Sequence, residues 1–159
     1  MKLKEYGSYL VILIAVILIR TFIVTPVSVS GSSMYSTLDD GDILLLKKYD
    51  KSYERFDIVV LKYDNDKLIK RIIGLPGDYI EYSNGKLYIN GKSVSDKFSY
   101  LTSNFNLKEL GYDKIPDNYY LVLGDNRKDS TDSRIIGLIK KDDIKGTTDF
   151  SLWPLKKIK

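Results

Sequence analysis

The sequence predicts a mainly β fold: a folded antiparallel β-sheet, barrel-like in outline, with a small β insertion and one N-terminal transmembrane helix ahead of it. Three observations carry that prediction. Tyr9 to Ile19 is an unbroken apolar and aromatic run. Past Pro26 the pattern changes to short β-branched and apolar runs of strand length. Asn-Gly and Gly-Asp pairs, which mark tight turns, punctuate those runs.

The first element follows from length. Taken from Tyr6 to Val24, the apolar stretch can cross a hydrocarbon core of ~30 Å, which needs about 20 helical residues. Its β-branched residues are no obstacle, because a backbone in lipid must satisfy its own hydrogen bonds. Arg20 lies near one end and can reach the interface. A cleaved leader is the competing reading. The stretch Arg20-Thr21-Phe22-Ile23-Val24-Thr25-Pro26 lacks small residues at cleavage spacing, which favours an uncleaved anchor. Lys2 and Lys4 precede the span, so the positive-inside rule predicts residues 1–5 in the cytoplasm, 6–25 in the membrane and 26–159 outside.

The strands follow in order. Val27 to Ser30 alternates. Ile43 to Leu46 and Ile58 to Leu61 read as buried strands, and Leu68 to Ile73, Tyr79 to Tyr82 and Lys86 to Ile89 continue the series. Asn84-Gly85 and Asn90-Gly91 predict hairpins, since both residue types accept positive φ at low cost. Residues 95–118 are polar and tyrosine-rich with weak periodicity, and read as the insertion. Tyr119 to Leu123 and Ile135 to Ile139 predict two further strands. Closing such short strands into a barrel or folded sheet removes their edges.

Composition narrows the chemistry. The chain has 159 residues, a formal charge of +4, no histidine and no cysteine. The modest charge does not by itself imply nucleic acid, and no nucleic-acid partner is expected. The terminal Lys156-Lys157-Ile158-Lys159 suits either a solvated end or contact with anionic lipid. Without cysteine there are no disulfides, and without both residue types a zinc site loses its preferred ligands. The same absence excludes a Ser-His-Asp triad and a Cys-His pair. A serine nucleophile here would need another base, and a lysine held neutral is one.

Three segments could carry such chemistry. Ser33 follows Gly31-Ser32 and precedes Met34, and a glycine two positions earlier permits a bend that exposes the hydroxyl. A serine-rich turn is the plain alternative, with Ser30, Ser32 and Ser36 as competitors. Lys70 lies between Leu68-Ile69 and Ile72-Ile73. A lysine amine with its usual pKa of about 10.4 is no base at neutral pH, but desolvation can lower it by up to about 3–5 units. If the Leu68 face of this strand is buried, Lys70 goes in with it and Arg71 points away. An exposed edge-strand lysine is the alternative. The third segment, Gly124 to Arg134, holds three Asp, two Arg and one Lys in eleven residues. It is either a solvated loop or one fixed by bidentate Asp–Arg pairs. It lacks the residue order of a calcium loop.

Together these segments resemble the bacterial type I signal peptidase family. The resemblance runs in order through the anchor, Gly31-Ser32-Ser33-Met34 with Thr37-Leu38, and Gly41-Asp42-Ile43-Leu44. It continues through Lys70-Arg71 with Gly74, Pro76, Gly77 and Asp78, then Gly124-Asp125-Asn126-Arg127, Ser130, Asp132-Ser133-Arg134 and Gly137. It implies a membrane-anchored serine endopeptidase that needs no metal or cofactor and removes signal peptides from exported preproteins. It implies Ser33 as nucleophile, Lys70 as general base, Ser130 as the group orienting the Lys70 amine, and Asp132 as its support. Asp125 and Arg134 would form a structural ion pair. The Ser33 N–H would bind the oxyanion, while Gly31 takes the place where some relatives have a second donor. The family usually carries Pro two residues before the Leu of its first motif; Ser36 stands there, which predicts a looser loop.

A nucleophile a few residues beyond the span would sit at the outer membrane surface, beside the export machinery. Small side chains ahead of the cut bond would fit shallow pockets lined by Val27, Val29 and Met34. Met34, Leu38 and residues 22–24 are placed either in the core or against lipid. Processing of one or a few surface proteins is an alternative to general secretion. Self-cleaving repressor-type proteases share the Ser/Lys chemistry but lack the apolar run at Tyr9 to Ile19. A non-catalytic, membrane-anchored β module would show no need to keep both Ser33 and Lys70.

Overall fold

The computed structural model describes residues 2–49 and 51–158, with side chains from Tyr6 onward. A helix, α1 (Lys2–Phe22), leads directly into β1 (Val24–Ser28). The described apolar side chains of α1 all face outward, among them Leu10, Ile12, Val16, Ile17 and Phe22. Among the described residues no helix is long and apolar enough to cross a membrane. The strand begins at Val24, so residues 24–25 belong to the β domain rather than to the helix expected over 6–25. Pro26 sits in this strand because β1 is an edge that pairs only with β2 (Ile43–Lys47), where a missing N–H is tolerated.

The main sheet has nine strands. β3 (Ile58–Tyr63) and β4 (Asp66–Gly74) form its central hairpin, with Val59 opposite Lys70 and Ile58 opposite Arg71. β9 (Tyr119–Leu123) pairs with β4 only from Arg71 onward, leaving Asp66 to Lys70 with one open edge. β10 (Ile139–Lys140), β11 (Ile144–Thr148), β12 (Phe150–Trp153) and β13 (Leu155–Lys157) complete it, in the order β10-β9-β4-β3-β11-β2-β12-β13.

A second sheet of four strands stands beside the first. β5 (Ile80–Ser83), β6 (Lys86–Ile89) and β7 (Lys92–Val94) are joined by the two expected Asn-Gly hairpins. Asn84, Gly85, Asn90 and Gly91 all have positive φ. The smaller β region therefore begins at Ile80, ahead of the insertion expected over 95–118. That insertion contributes one two-residue strand, β8 (Phe105–Asn106), which pairs with β5, and two 3-10 turns.

The strand expected over 135–139 is not formed as one element. Asp132 caps a short helix, α2 (Ser133–Ile136), by accepting from Arg134 N, and Gly137 at φ +79° ends it before β10. Ile135 is 72% exposed, so its apolar character reflects no core position.

The sheet buries three apolar clusters. Val29, Met34, Leu38, Leu44, Ile58, Val60 and Ile69 form one. Val59, Leu61, Ile72, Val122 and Ile144 form the second, on the opposite face of the β3–β4 hairpin. Ile73, Ile80, Tyr82, Leu87 and Leu121 form the third, between the two sheets. Met34 and Leu38 are at most 1% exposed, which settles them in the core rather than against lipid.

Candidate active site

Ser33 lies on the loop between β1 and β2. Gly31 turns the chain at φ +87°, and its N–H donates to Asp40 Oδ1 at 2.8 Å. A Cβ there would meet open space, so it is the backbone angle that calls for glycine. Buried Met34 and Leu38 pin the next turn, and Thr37 N and Leu38 N both donate to Met34 O. From the far loop, Asn126 N donates to Ser33 O at 3.0 Å and Asn126 Nδ2 to Ser32 O at 3.2 Å. Thr37 Oγ1 donates to Asp125 Oδ2 at 2.6 Å. Ser36 thus lies in a segment held from both sides, which counters the loosening expected from the missing proline.

Lys70 comes to Ser33 from the middle of β4. Its side chain shares a face with Leu68, Ile72 and cross-strand Val59, and the residue is 2% exposed. Lys70 Nζ donates to Ser33 Oγ at 2.7 Å. Burial pushes the Lys70 amine down from 10.5 to about 8, while the negative charges of Asp132 and Asp125 pull the other way. Lys70 lies on the open-edged stretch of β4, but its burial excludes the alternative of an exposed lysine.

Arg71 points to the opposite face, as strand geometry requires, but that face is covered too. Its Nε and Nη2 donate to Asp125 Oδ1 and Oδ2 at 2.8 and 2.6 Å, and Nη1 reaches Phe56 O at 2.8 Å. Asp125 is wholly buried. The expected Asp125–Arg134 pair does not form. Arg134 donates to Asp132 at 2.9 and 2.8 Å, because both lie on the same turn at the start of α2. Arg71 reaches Asp125 because β4 and β9 pair at Arg71 and Leu123.

Asp132 also fixes Gly124, whose N–H donates to Asp132 Oδ2 at 3.0 Å. Gly124 is where Ser130 and Ser33 meet. A Cβ added there would fall on Ser130 Oγ and lie 2.5 Å from Ser33 O. Ser130 Oγ is buried and makes no hydrogen bond, so the expected Ser130–Lys70 contact is not formed.

The deepest ion pair is not legible in the sequence. Arg127 Nη2 lies 2.8 Å from Asp96 Oδ2, both side chains being at most 1% exposed, and Arg127 Nε donates to Gly124 O at 2.9 Å. Tyr82 and Thr102 complete this network, which ties the second sheet to the loop beneath Ser33. Alternating charges in the loop marked Arg127 as a pairing residue, but nothing local named Asp96 as its partner.

A cleft of about 250 Å³ is lined in part by Ser33 and Lys70. Val27, Val29 and Met34, the three expected pocket residues, line it together with Pro26, Leu68 and Ile69. Its walls are the open edge of β1 and the unpaired stretch of β4. Leu68 and Ile69 were legible as neighbours of Lys70 on its strand, yet only the fold sets them opposite β1.

Fold and site suit a serine endopeptidase, and the family and relatives of the chain make it one. The sequence pattern of the family described as signal peptidase, peptidase S26, matches residues 3–153, and the chain belongs to that family. It is 42% identical to signal peptidase I S of Bacillus subtilis (strain 168), over 99% of this chain and 93% of that protein. It is 37% identical to signal peptidase IB of Staphylococcus aureus, over 96% of this chain and 90% of that protein. The crystal structure of a signal peptidase I from Enterococcus faecalis V583 superposes with a TM-score of 0.57 at 34% identity, covering 60% of this chain and 96% of that one.

Proposed function

We propose that the chain removes N-terminal signal peptides from exported preproteins at the outer face of the cytoplasmic membrane, through an acyl-enzyme on Ser33. The observation that carries this reading is the 2.7 Å contact between Ser33 Oγ and the amine of a lysine that is 2% exposed. With the amine neutral, the same contact runs with the Ser33 hydroxyl donating. Lys70 takes that proton as Oγ attacks the carbonyl, and gives it to the leaving amine when the peptide bond breaks. A water then attacks the ester, its proton passing to Lys70 and on to Ser33 Oγ. The Ser33 N–H donates to no described residue, which suits it to the oxyanion.

Geometry supports the substrate class. An extended segment can lie as an added strand between the open edges of β1 and β4, with small side chains against Val27, Val29 and Met34. The outward apolar side chains of α1 favour its lying against lipid as an anchor, with the β domain outside and the export machinery alongside.

The test is cleavage of a preprotein by the full chain. Ser33→Ala and Lys70→Ala are expected to fold and to leave the precursor intact. Cleavage near the wild-type rate by either variant sinks the assignment. Protease added to intact protoplasts is expected to digest the β domain; full protection would reverse the orientation.

A further inference from the structure

We infer that the polar cleft opening from Ser130 receives the substrate segment downstream of the cut bond and favours an acidic side chain there, with Lys128 as the residue that sets this preference. The inference rests on the peptidase reading above.

The direction of the substrate comes from the anchor. β1 follows α1 with only Ile23 between them and lines the cleft at Ser33, so the signal segment is placed along β1. The β1 cleft has Ser33 and Lys70 in its lining. The loop after β9 packs on Ser33: Asn126 N donates to Ser33 O, and Ser130 Oγ and Ser33 O both lie beside Gly124. Chain leaving the acylated serine on that side passes over Ser130.

There a second cleft of about 360 Å³ opens, lined by Ser103, Arg127, Lys128, Ser130, Arg134 and Ile135. Its three cations are not equivalent. Arg127 is neutralised by Asp96 at 2.8 Å and Arg134 by Asp132 at 2.8 Å. Lys128 is exposed and has no anionic partner among the described residues. The nearby Asp129 is exposed and accepts from Ser32 Oγ at 3.1 Å, on the nucleophile's side rather than in the cleft. The uncompensated charge of the cleft is therefore that of Lys128. Ser130 adds a buried hydroxyl without a partner, and Ile135, 72% exposed, adds an apolar wall.

Exposed ion pairs are weak, so the preference is modest, about two- to fivefold in kcat/KM. The test compares two preprotein peptides that differ only at the second residue after the cut, Asp or Lys, with the full chain in detergent. Wild type is expected to favour Asp by that factor, less so at high salt. Lys128→Glu is expected to invert the ratio. Lys92→Glu, on the outer hairpin of the second sheet, is expected to leave it alone. Equal rates for the two peptides in wild type, or a ratio that Lys128→Glu does not move, overturns the inference. Cleavage of neither peptide defeats the peptidase reading itself, and the inference with it.

Discussion

Replacing Lys70 with Met should make the protein more stable at neutral pH while abolishing its activity. Lys70 is 2% exposed, and burial lowers its amine from 10.5 to about 8 against the pull of Asp132 and Asp125. Each pKa unit is worth about 1.4 kcal/mol, so keeping this amine charged in the folded protein costs roughly 3 kcal/mol. The unfolded chain holds its proton up to 10.5, whereas the folded chain releases it at about 8. Between those values the unfolded state binds more protons, so stability rises with pH. Below about 8 both states are protonated and the full penalty stands. Methionine is similar in length and does not titrate. Losing the contact to Ser33 removes about 1 kcal/mol at every pH. The variant should therefore be more stable by roughly 2 kcal/mol at neutral pH, and that gap should change by roughly 3 kcal/mol by pH 10.5. Urea unfolding of both full-length proteins in detergent, followed by circular dichroism across this pH range, measures the gap. A gap that stays constant with pH would refute the claim that burial of Lys70 lowers its pKa.

Other outcomes follow from the same geometry. The kcat/KM of the wild type should rise about tenfold per pH unit and level off above about 8, because only the neutral amine can take the Ser33 proton. Lys70→Arg should be inactive throughout, since guanidinium keeps its proton; a pH–rate profile rising only near lysine's usual value would contradict the burial argument. Gly124→Ala should lose activity and about 1–3 kcal/mol of stability, because its Cβ would displace Ser130 and the Ser33 carbonyl; normal peptide cleavage by this variant would show that the loop can yield. Asp125→Asn should cost about 3–5 kcal/mol, since it leaves the Arg71 guanidinium, 11% exposed, without its charge partner; thermal unfolding checks it.

What the sequence made legible was local. β6 and β9 have their predicted bounds, and the two Asn-Gly hairpins form where they were expected, because alternation and positive φ are written in neighbouring residues. Ser33, Lys70, Val27 and Val29 line one cleft. What escaped was long-range or conditional. Apolar Ile135 and Ile136 resembled strand, but the Asp132 cap and Gly137 set a helical turn. Strand β11 holds Lys, Gly and Thr and is a strand because β2 and β3 offer it edges; β12 in turn pairs with β2, and β13 with β12. The partners of Asp125 and Arg127 come from positions 71 and 96, and charge spacing within one loop cannot name them.

The central claim is that Ser33, activated by Lys70, carries the acyl group. The most direct measurement is mass spectrometry of the full chain after reaction with a serine-directed acylating inhibitor. A single adduct is expected on the peptide containing Ser33, absent in Ser33→Ala and strongly reduced in Lys70→Ala. An adduct on Ser30, Ser32 or Ser36 instead, or labelling of Ser33 that is as fast in Lys70→Ala as in the wild type, would contradict it.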